Sequence, residues 1–377
     1  MDHQTFLRWV AVGTAAVSLA STRGLALVRL NDGRDQLFVN ASVSMGYNSN
    51  IFATKTGSGD ILTTSSFGIE YVRKAGYIGV NASVSWSLGQ FGSNTAQNFS
   101  NPSLNVEFSK ATGRTTGSLT LSAARSSRAD SAAGLRTDSW NYNAGLNWKY
   151  PIIDRYSLSG GLNYGQILYQ NAAPGINNLN TYGASLDLFY AFTSERDLFA
   201  GYSIGFSDSG NGSQSTDHSF TVGVSGKIIP RLNGNVRAGY EIRQESTGQT
   251  FGSWTATVGV TWSVNRRFSL NGTVNKAFST TSTSSSIDTL SANIDAQYSL
   301  TGKVSLHAGI GAGTSDFLSG LSAGRTDEFF TWSAGINYNF NEHFKAALTY
   351  SYMKNWSNVG SSNYESDSIT LNLSTRW

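Results

Sequence analysis

The 377-residue sequence has no cysteine, only four prolines and few charged residues, which make up 14% of the chain. Without cysteine there is neither a disulfide framework nor thiol chemistry. A soluble protein with so little charge would expose a large uncharged surface, which promotes association. The formal net charge is only +3 and both signs are spread along the chain. The sequence therefore lacks the basic patch that would indicate a nucleic-acid partner.

Long apolar runs are also scarce, and the only candidate lies at the N-terminus. Arg8 precedes the 12-residue apolar run from Trp9 to Ala20, which is too short to cross a bilayer as a helix. Small residues follow, so we predict a signal peptide over residues 1–26, cleaved after Ala20 or Ala26. An uncleaved membrane anchor is the less favoured alternative. Residues 27–377 are then expected to form a single domain.

Beyond residue 26 no stretch of 18 uncharged apolar residues occurs, so any membrane crossing must be made by strands. The dominant pattern is period-two alternation. One face of a representative segment carries Ile78, Val80, Ala82, Val84, Trp86 and Leu88. The other face carries Gly79, Asn81, Ser83, Ser85 and Ser87. Alternation of this kind is typical of strands with one apolar and one polar face.

We count 18 such segments of about 9–12 residues between Leu37 and the C-terminus, the length that a tilted strand needs to cross a membrane. The sequence therefore predicts an all-β fold, a transmembrane antiparallel up-and-down β-barrel of 18 strands, with 16 as the alternative count. Since odd strands recur every 35–41 residues, a β-propeller is the rival architecture. A propeller blade needs four strands and apolar residues on both faces of its inner strands, which this pattern lacks.

The connections between segments alternate in length. Short turns such as Thr112-Gly113-Arg114 alternate with loops of roughly 8–17 residues such as Asn48–Asp60, Gly89–Pro102 and Gly313–Asp327. Outer-membrane barrels have short periplasmic turns and longer extracellular loops. We therefore expect the loops outside and both termini on the periplasmic side, which requires an even number of strands.

Aromatic residues of the apolar face cluster near both ends of the predicted strands, as in the aromatic girdles of membrane barrels. This placement indicates that the apolar face contacts outer-membrane lipid and that the polar face encloses water. Three basic residues, Arg73, Lys110 and Lys276, are in phase with the apolar face. They lie near strand ends, where we expect them to reach the interface.

No arrangement of residues indicates catalysis. The predicted mature chain has only three histidines, His218, His307 and His343, without a partnered nucleophile or metal-ligand spacing. The sequence Gly309-Ile310-Gly311-Ala312-Gly313 lacks the following helix that a phosphate-binding loop requires. We therefore predict a protein that is not an enzyme and that has no cofactor and no metal site.

The polar face supplies the candidate pore-lining residues, and rings of charge on such a face can tune ion preference. These candidates are Glu70, Glu107, Asp187, Arg237, Glu241, Arg243, Asp295, His307 and Lys345. Since Arg237, Glu241 and Arg243 share one strand, we expect them to pair with one another. A barrel of 18 strands is too wide for side chains to fill. We expect a pore that is open, or narrowed only by side chains and modest loops.

The segment at the end of the first predicted strand, Gly46-Tyr47-Asn48-Ser49-Asn50-Ile51-Phe52, resembles the G-Y-D/N-x-N-I/V-F signature of β-barrel porin families of the porin-2 type. These include outer-membrane proteins found beside exopolysaccharide-biosynthesis genes. The family-like positions are Gly46, Tyr47, Asn48, Asn50 and Phe52. The last strand, which ends at Trp377, is similar to the signal that the barrel-assembly machinery reads, although Phe is the usual final residue. The resemblance implies a porin-like protein of the Gram-negative outer membrane.

These observations favour a channel for passive diffusion of small hydrophilic solutes. The alternatives are a barrel component of an exopolysaccharide export system, which would bind polysaccharide-export proteins, and a structural or adhesive barrel. A homotrimer is a further expectation, because many porins are trimers.

Overall fold

The computed structural model describes residues 27–377 except Ala75, Asn171, Ala172 and Asn211, so the predicted signal peptide lies outside the described residues. Most of the described residues lie in strands. The strands are β1 (Val28–Leu30), β2 (Asp35–Asn48), β3 (Asp60–Arg73), β4 (Gly79–Phe91), β5 (Phe99–Lys110), β6 (Thr116–Asp130), β7 (Leu135–Ile153), β8 (Tyr156–Gln170), β9 (Leu179–Thr193), β10 (Arg196–Ser209), β11 (Gln214–Ile229), β12 (Leu232–Glu245), β13 (Thr250–Ser263), β14 (Phe268–Thr280), β15 (Ser286–Ser299), β16 (Val304–Phe317), β17 (Thr326–Asn339), β18 (Phe344–Ser357) and β19 (Tyr364–Arg376). Single 3₁₀ turns occur at Asn31–Gly33, Thr95–Gln97, Gly320–Ser322 and Gly360–Ser362.

Strands β2 to β19 form a closed antiparallel barrel of 18 strands, which confirms the predicted fold and count. Each strand pairs with the next in the chain, and β19 closes the circle by pairing with β2. At the closure, Val39 and Trp377 exchange two backbone hydrogen bonds of 2.8 and 2.9 Å. The short strand β1 pairs only with the start of β2. None of the helices among the described residues has the length and apolarity needed to cross a bilayer.

The two faces of the barrel differ as the alternation predicted. On β4 the Val84 side chain is 56% exposed on the outer surface, whereas the neighbouring Ser85 hydrogen bonds to Ser103 on the inner face. Exposed aromatic residues form one band at the turn end, including Phe108, Phe192, Trp262, Tyr338 and Phe344, and another at the loop end, including Tyr47, Trp86, Tyr182, Trp254 and Trp332. Two such bands bracket the lipid-facing belt of an outer-membrane barrel.

The strands are longer and the loops shorter than the sequence pattern predicted. The barrel strands have 12 to 19 residues, not 9–12. The predicted loop Gly313–Asp327 shrinks to residues 318–325, because β16 continues to Phe317 and β17 begins at Thr326. Backbone groups beyond the apolar belt still need hydrogen-bond partners, and continuing the ladder supplies them.

Candidate functional site

The hairpin of β14 and β15 leaves the wall of the barrel at the loop end. Pairing between β13 and β14 stops at Ala256 and Lys276, while β14 stays paired with β15 up to Thr280 and Ser286. Beyond that point Phe278 donates its backbone N–H to Glu241 on β12, at 3.4 Å. Since β13 separates β12 from β14 in the wall, the β14–β15 hairpin tip (residues 277–287) must cross the inner face of β12 and β13.

Arg243 holds this hairpin tip. Its guanidinium forms two hydrogen bonds with the Asp217 carboxylate, at 2.6 and 2.7 Å, and donates to the backbone carbonyl of Ser279 at 2.7 Å and to the hydroxyl of Ser286 at 3.2 Å. The side chain lies over the Phe278 ring and is 1% exposed. A guanidinium with this many partners fixes several groups in one geometry.

A second ion pair fastens the base of the same hairpin. The ammonium of Lys276 pairs with Asp288, and Ser253 bonds to both, at 3.1 Å from the Lys276 nitrogen and 2.9 Å from an Asp288 oxygen. The Thr255 hydroxyl donates to the backbone carbonyl of Lys276 at 2.7 Å. The prediction that Lys276 reaches the membrane interface is wrong. Because the β14–β15 hairpin folds inward, the face of the hairpin that is in phase with the lipid-facing residues is buried against the inner face of β13.

The hairpin of β6 and β7 folds inward in the same way, nearly opposite the first. Pairing between β5 and β6 stops at Ser103 and Ala124, although β6 and β7 remain paired to their tip. The Arg136 guanidinium lies 5.0 Å from the centre of the Phe91 ring on the inner face of β4 and donates to the carbonyl of Ile51 at 3.2 Å. The β6–β7 hairpin tip (residues 125–137) therefore covers Phe91, which is 1% exposed.

The loop between β16 and β17 connects the two hairpin tips. At one end, the backbone N–H of Leu318 donates to Ser286 at 2.8 Å. At the other end, Arg325 donates to the Ser131 carbonyl at the β6–β7 tip, at 3.3 Å. Arg325 is itself paired with Asp327 at 2.5 Å. Hydrogen bonds thus run across the loop end of the lumen from one hairpin to the other.

A cavity of about 770 Å³ lies beside the β6–β7 hairpin tip. Its other wall is the inner face of β15–β19 and β2, and its lining includes Asn48, Arg128, Asp295, Thr331, Ser351 and Tyr364. Volumes of this size are typical of sites for small ligands.

The predicted pairing within Arg237, Glu241 and Arg243 is wrong. Arg237 pairs with Asp187 on β9, through two hydrogen bonds of 2.9 Å, and Arg243 pairs with Asp217 on β11. A residue separation of two on a strand points side chains to the same face but spaces them about 7 Å apart. Neighbouring strands offer closer partners.

The remaining candidate pore residues have separate surroundings. At the turn end, Glu70 accepts a 2.9 Å hydrogen bond from Arg376, whose guanidinium lies 3.9 Å from the centre of the Phe38 ring. His307 is within 3.3 Å of the Asn337 amide and 3.5 Å of the Thr349 hydroxyl. Glu107 and Lys345 are half-buried, while Asp295 is exposed in the cavity wall. The assignment of these residues to a conducting pore stays a prediction.

The family-like segment is positioned beside the β19–β2 closure. The Asn50 side-chain amide donates to the carbonyls of Thr54 at 2.8 Å and Glu365 at 3.0 Å, and the Asn48 side chain accepts from the backbone of Asn50 and from Ser366. A Cβ on Gly46 would lie 2.5 Å from the Thr370 hydroxyl. These contacts give the segment a structural reason for its residue types. Tyr47 projects outward, and Phe52 lies in the following loop.

Sequence reasoning missed the residues that position the two hairpins. Asp217, Asp288, Arg136 and Arg325 were not among the candidates, although Asp217 is in phase with the polar face of its strand. The sequence did contain one signal for these residues: they are charged and lie near the loop ends of strands. Contact with lipid gives no reason for charges at those positions. Among the described residues, no group of three or more histidine, aspartate or glutamate side chains could hold a metal ion.

Comparison with known proteins supports the sequence resemblance. Residues 213–377 match the family described as Putative beta-barrel porin 2. The match does not include the Gly46–Phe52 segment. No curated protein matches the sequence.

Solved structures with the same fold include the outer membrane protein OpdK and the protein OccK2 (OpdF), both of Pseudomonas aeruginosa. OccK1 (OpdK) has a TM-score of 0.51 at 11% identity, covering 90% of this chain and 99% of that one. OccK2 (OpdF) in complex with glucuronate has a TM-score of 0.50 at 11% identity, covering 91% and 97%. OpdK with vanillate has a TM-score of 0.50 at 10% identity, covering 90% and 99%. The chain therefore has the fold of these outer-membrane β-barrels, and it resembles the β-barrel porin 2 family over residues 213–377.

Proposed function

We propose that this protein is a channel for passive diffusion of small hydrophilic solutes, and that the two inward hairpins limit its width at the loop end. The observation that carries the proposal is the polar inner face of a closed 18-stranded barrel. A barrel of this size is wide enough to enclose water. The contacts of Arg243, Arg136 and Arg325 place chain segments inside that space, which favours small solutes over polymers.

The molecules found in two similar structures agree with this proposal. The similar barrels OpdK and OccK2 were solved with vanillate and glucuronate, which are small molecules. Passage of a polysaccharide chain would require both hairpin tips to move out of the lumen, so we do not favour the export role. Export partners, a trimeric assembly and recognition of Trp377 by the assembly machinery stay predictions.

Single-channel recording in planar bilayers tests the proposal. We expect steady conductance steps, smaller than those of an unobstructed barrel of the same strand number, and swelling of liposomes in monosaccharide but not in long oligosaccharide. Correct folding is checked separately, by the shift in electrophoretic mobility on heating. Folded protein that gives neither conductance nor swelling would overturn the proposal.

A further inference from the structure

Two adjacent rows of residues cross the inner wall that borders the cavity. The strand register places in the first row Asp295, Gly309, Ser333, Ser351, Ser368 and Asn48, from β15 to β2. The second row contains Asn293, Gly311, Thr331, Met353 and Ser366. Every non-glycine member, together with Gly309, lines the cavity. The wall therefore presents a band of mostly hydroxyl and amide groups, whose first row spans six consecutive strands of the closed barrel and whose second row spans five.

The glycines on β16 shape this band. A Cβ on Gly309 would lie 2.6 Å from an Asp295 carboxylate oxygen and 3.0 Å from the Ser333 hydroxyl. A Cβ on Gly311 would meet Asn293 and would lie 2.7 Å from the Thr331 hydroxyl. Polar side chains of both neighbouring strands thus lean over the glycine backbone and occupy the space that side chains on β16 would take, so donors and acceptors continue across β16.

The opposite side of the cavity differs in character. Phe91 and Phe99 form an edge-to-face pair with ring centres 6.4 Å apart, and the Arg136 guanidinium covers Phe91. On the side of the polar band, Tyr364 of β19 adds a ring beside Met353, and its hydroxyl lies 3.7 Å from the Met353 sulfur. Arg128 is exposed and lines the same space as Asp295. A ligand here would meet the hydrogen-bonding band, the rings of Phe99 and Tyr364, and one exposed charge of each sign.

We propose that this cavity binds a small neutral polyhydroxylated solute of the mono- or disaccharide class. This proposal identifies the solute of the diffusion channel proposed above, and it rests on that function. Hydroxyl groups both donate and accept, so they can satisfy serine, threonine and asparagine side chains in any order. The Asp295 carboxylate is an acceptor for paired hydroxyls and repels anionic solutes. Arg128 carries the opposite charge, so these two exposed groups together favour neither anionic nor cationic solutes. The volume, about 770 Å³, admits a ligand of this size.

Saturable block of the channel current by sugar tests this proposal. Sucrose, glucuronate and glucosamine are added separately to the purified full chain in planar bilayers. We expect a saturating reduction of current with sucrose, with a lower half-saturation concentration than for either charged sugar. Asp295→Asn should raise the sucrose half-saturation concentration roughly tenfold, the effect of losing a hydrogen bond to a charged group. Ser333→Phe, which puts a bulky ring in place of a hydroxyl in the cavity lining, should abolish the block.

Asn235→Ala is the matched control, because Asn235 lies on the inner face of β12, in phase with Arg237, and does not line the cavity. We expect it to leave sucrose block unchanged. Titration calorimetry with sucrose in detergent micelles separates the two proposals. Conductance without saturable sucrose block or heat overturns the sugar site and leaves the channel standing. Sucrose binding without any conductance supports the site and overturns passive diffusion.

Discussion

The Arg243 guanidinium pairs with the Asp217 carboxylate through two hydrogen bonds, and it also donates a hydrogen bond to the Ser279 carbonyl of the β14–β15 hairpin tip. One buried cation therefore joins the fixed wall at β11 and β12 to a segment that has left the wall. Its removal would leave the Asp217 carboxylate without its cation. Breaking a buried pair in this way costs about 3–5 kcal/mol.

Arg243→Ala should release the β14–β15 hairpin tip and raise the single-channel conductance. The lost guanidinium contacts are concentrated on the tip, whereas the backbone ladder of β11 and β12 stays complete. The measurement is conductance in planar bilayers, together with protease cleavage within residues 277–287. Arg237→Ala is the control, because Arg237 lies on the same strand and is also paired, but with Asp187 on β9. Equal conductance of the two variants would contradict the assigned role of Arg243.

Cross-linking the β14–β15 tip should hold the channel in its narrow state. The Asn177 amide donates to the Ser284 hydroxyl at 3.0 Å, which joins the loop after β8 to the tip. Because the natural chain has no cysteine, a double variant Asn177→Cys with Ser284→Cys contains only this pair of thiols.

After oxidation, or reaction with a short bis-thiol reagent, we expect fewer and smaller fluctuations in single-channel current, restored by a reductant in the disulfide case. The two single-cysteine variants are the controls. Unchanged fluctuations in the fully cross-linked protein would show that this tip does not move during conduction.

The barrel itself could be predicted from the sequence because alternation is a local property. Val84 and Ser85 differ in character, and the pleat sends them to opposite faces whatever the rest of the chain does. The strand count follows by repetition. The girdle positions follow because amphipathic rings settle at interfaces.

The inward hairpins could not be predicted because they depend on contacts far apart in sequence. Lys276 is in phase with lipid-facing residues, and only the end of β13–β14 pairing turns it toward Asp288 and Ser253. Nothing local distinguishes it from Lys110, which is also in phase with the apolar face. The same holds for Arg325, whose contact with Ser131 joins positions 194 residues apart.

Trp377 should contribute to barrel closure and assembly through both its ring and its backbone. Its ring stacks on His343 with centres 4.0 Å apart, and its backbone pairs with Val39. Trp377→Phe keeps an aromatic ring and should assemble at the natural rate. Trp377→Ala should assemble more slowly and lose about 0.5–1.5 kcal/mol of stability, the worth of an aromatic pair. The measurement is the rate of heat-modifiable barrel formation in liposomes containing the assembly machinery, and equal rates for the two variants would refute the role of the ring.

A charge placed on the outer face at mid-barrel should destabilise the protein much more than the same charge placed one residue further on. Val84 lies near the middle of β4 and is 56% exposed, so Val84→Lys would put an ammonium into the apolar belt at a cost of about 2–4 kcal/mol. Ser85→Lys points into the lumen and should cost about 1 kcal/mol, the net value of the Ser85–Ser103 hydrogen bond. Chemical unfolding of both variants from lipid vesicles, with the natural chain as reference, gives the two differences in unfolding free energy. A larger loss for Ser85→Lys than for Val84→Lys would mean that the serine face, and not the valine face, contacts the acyl chains.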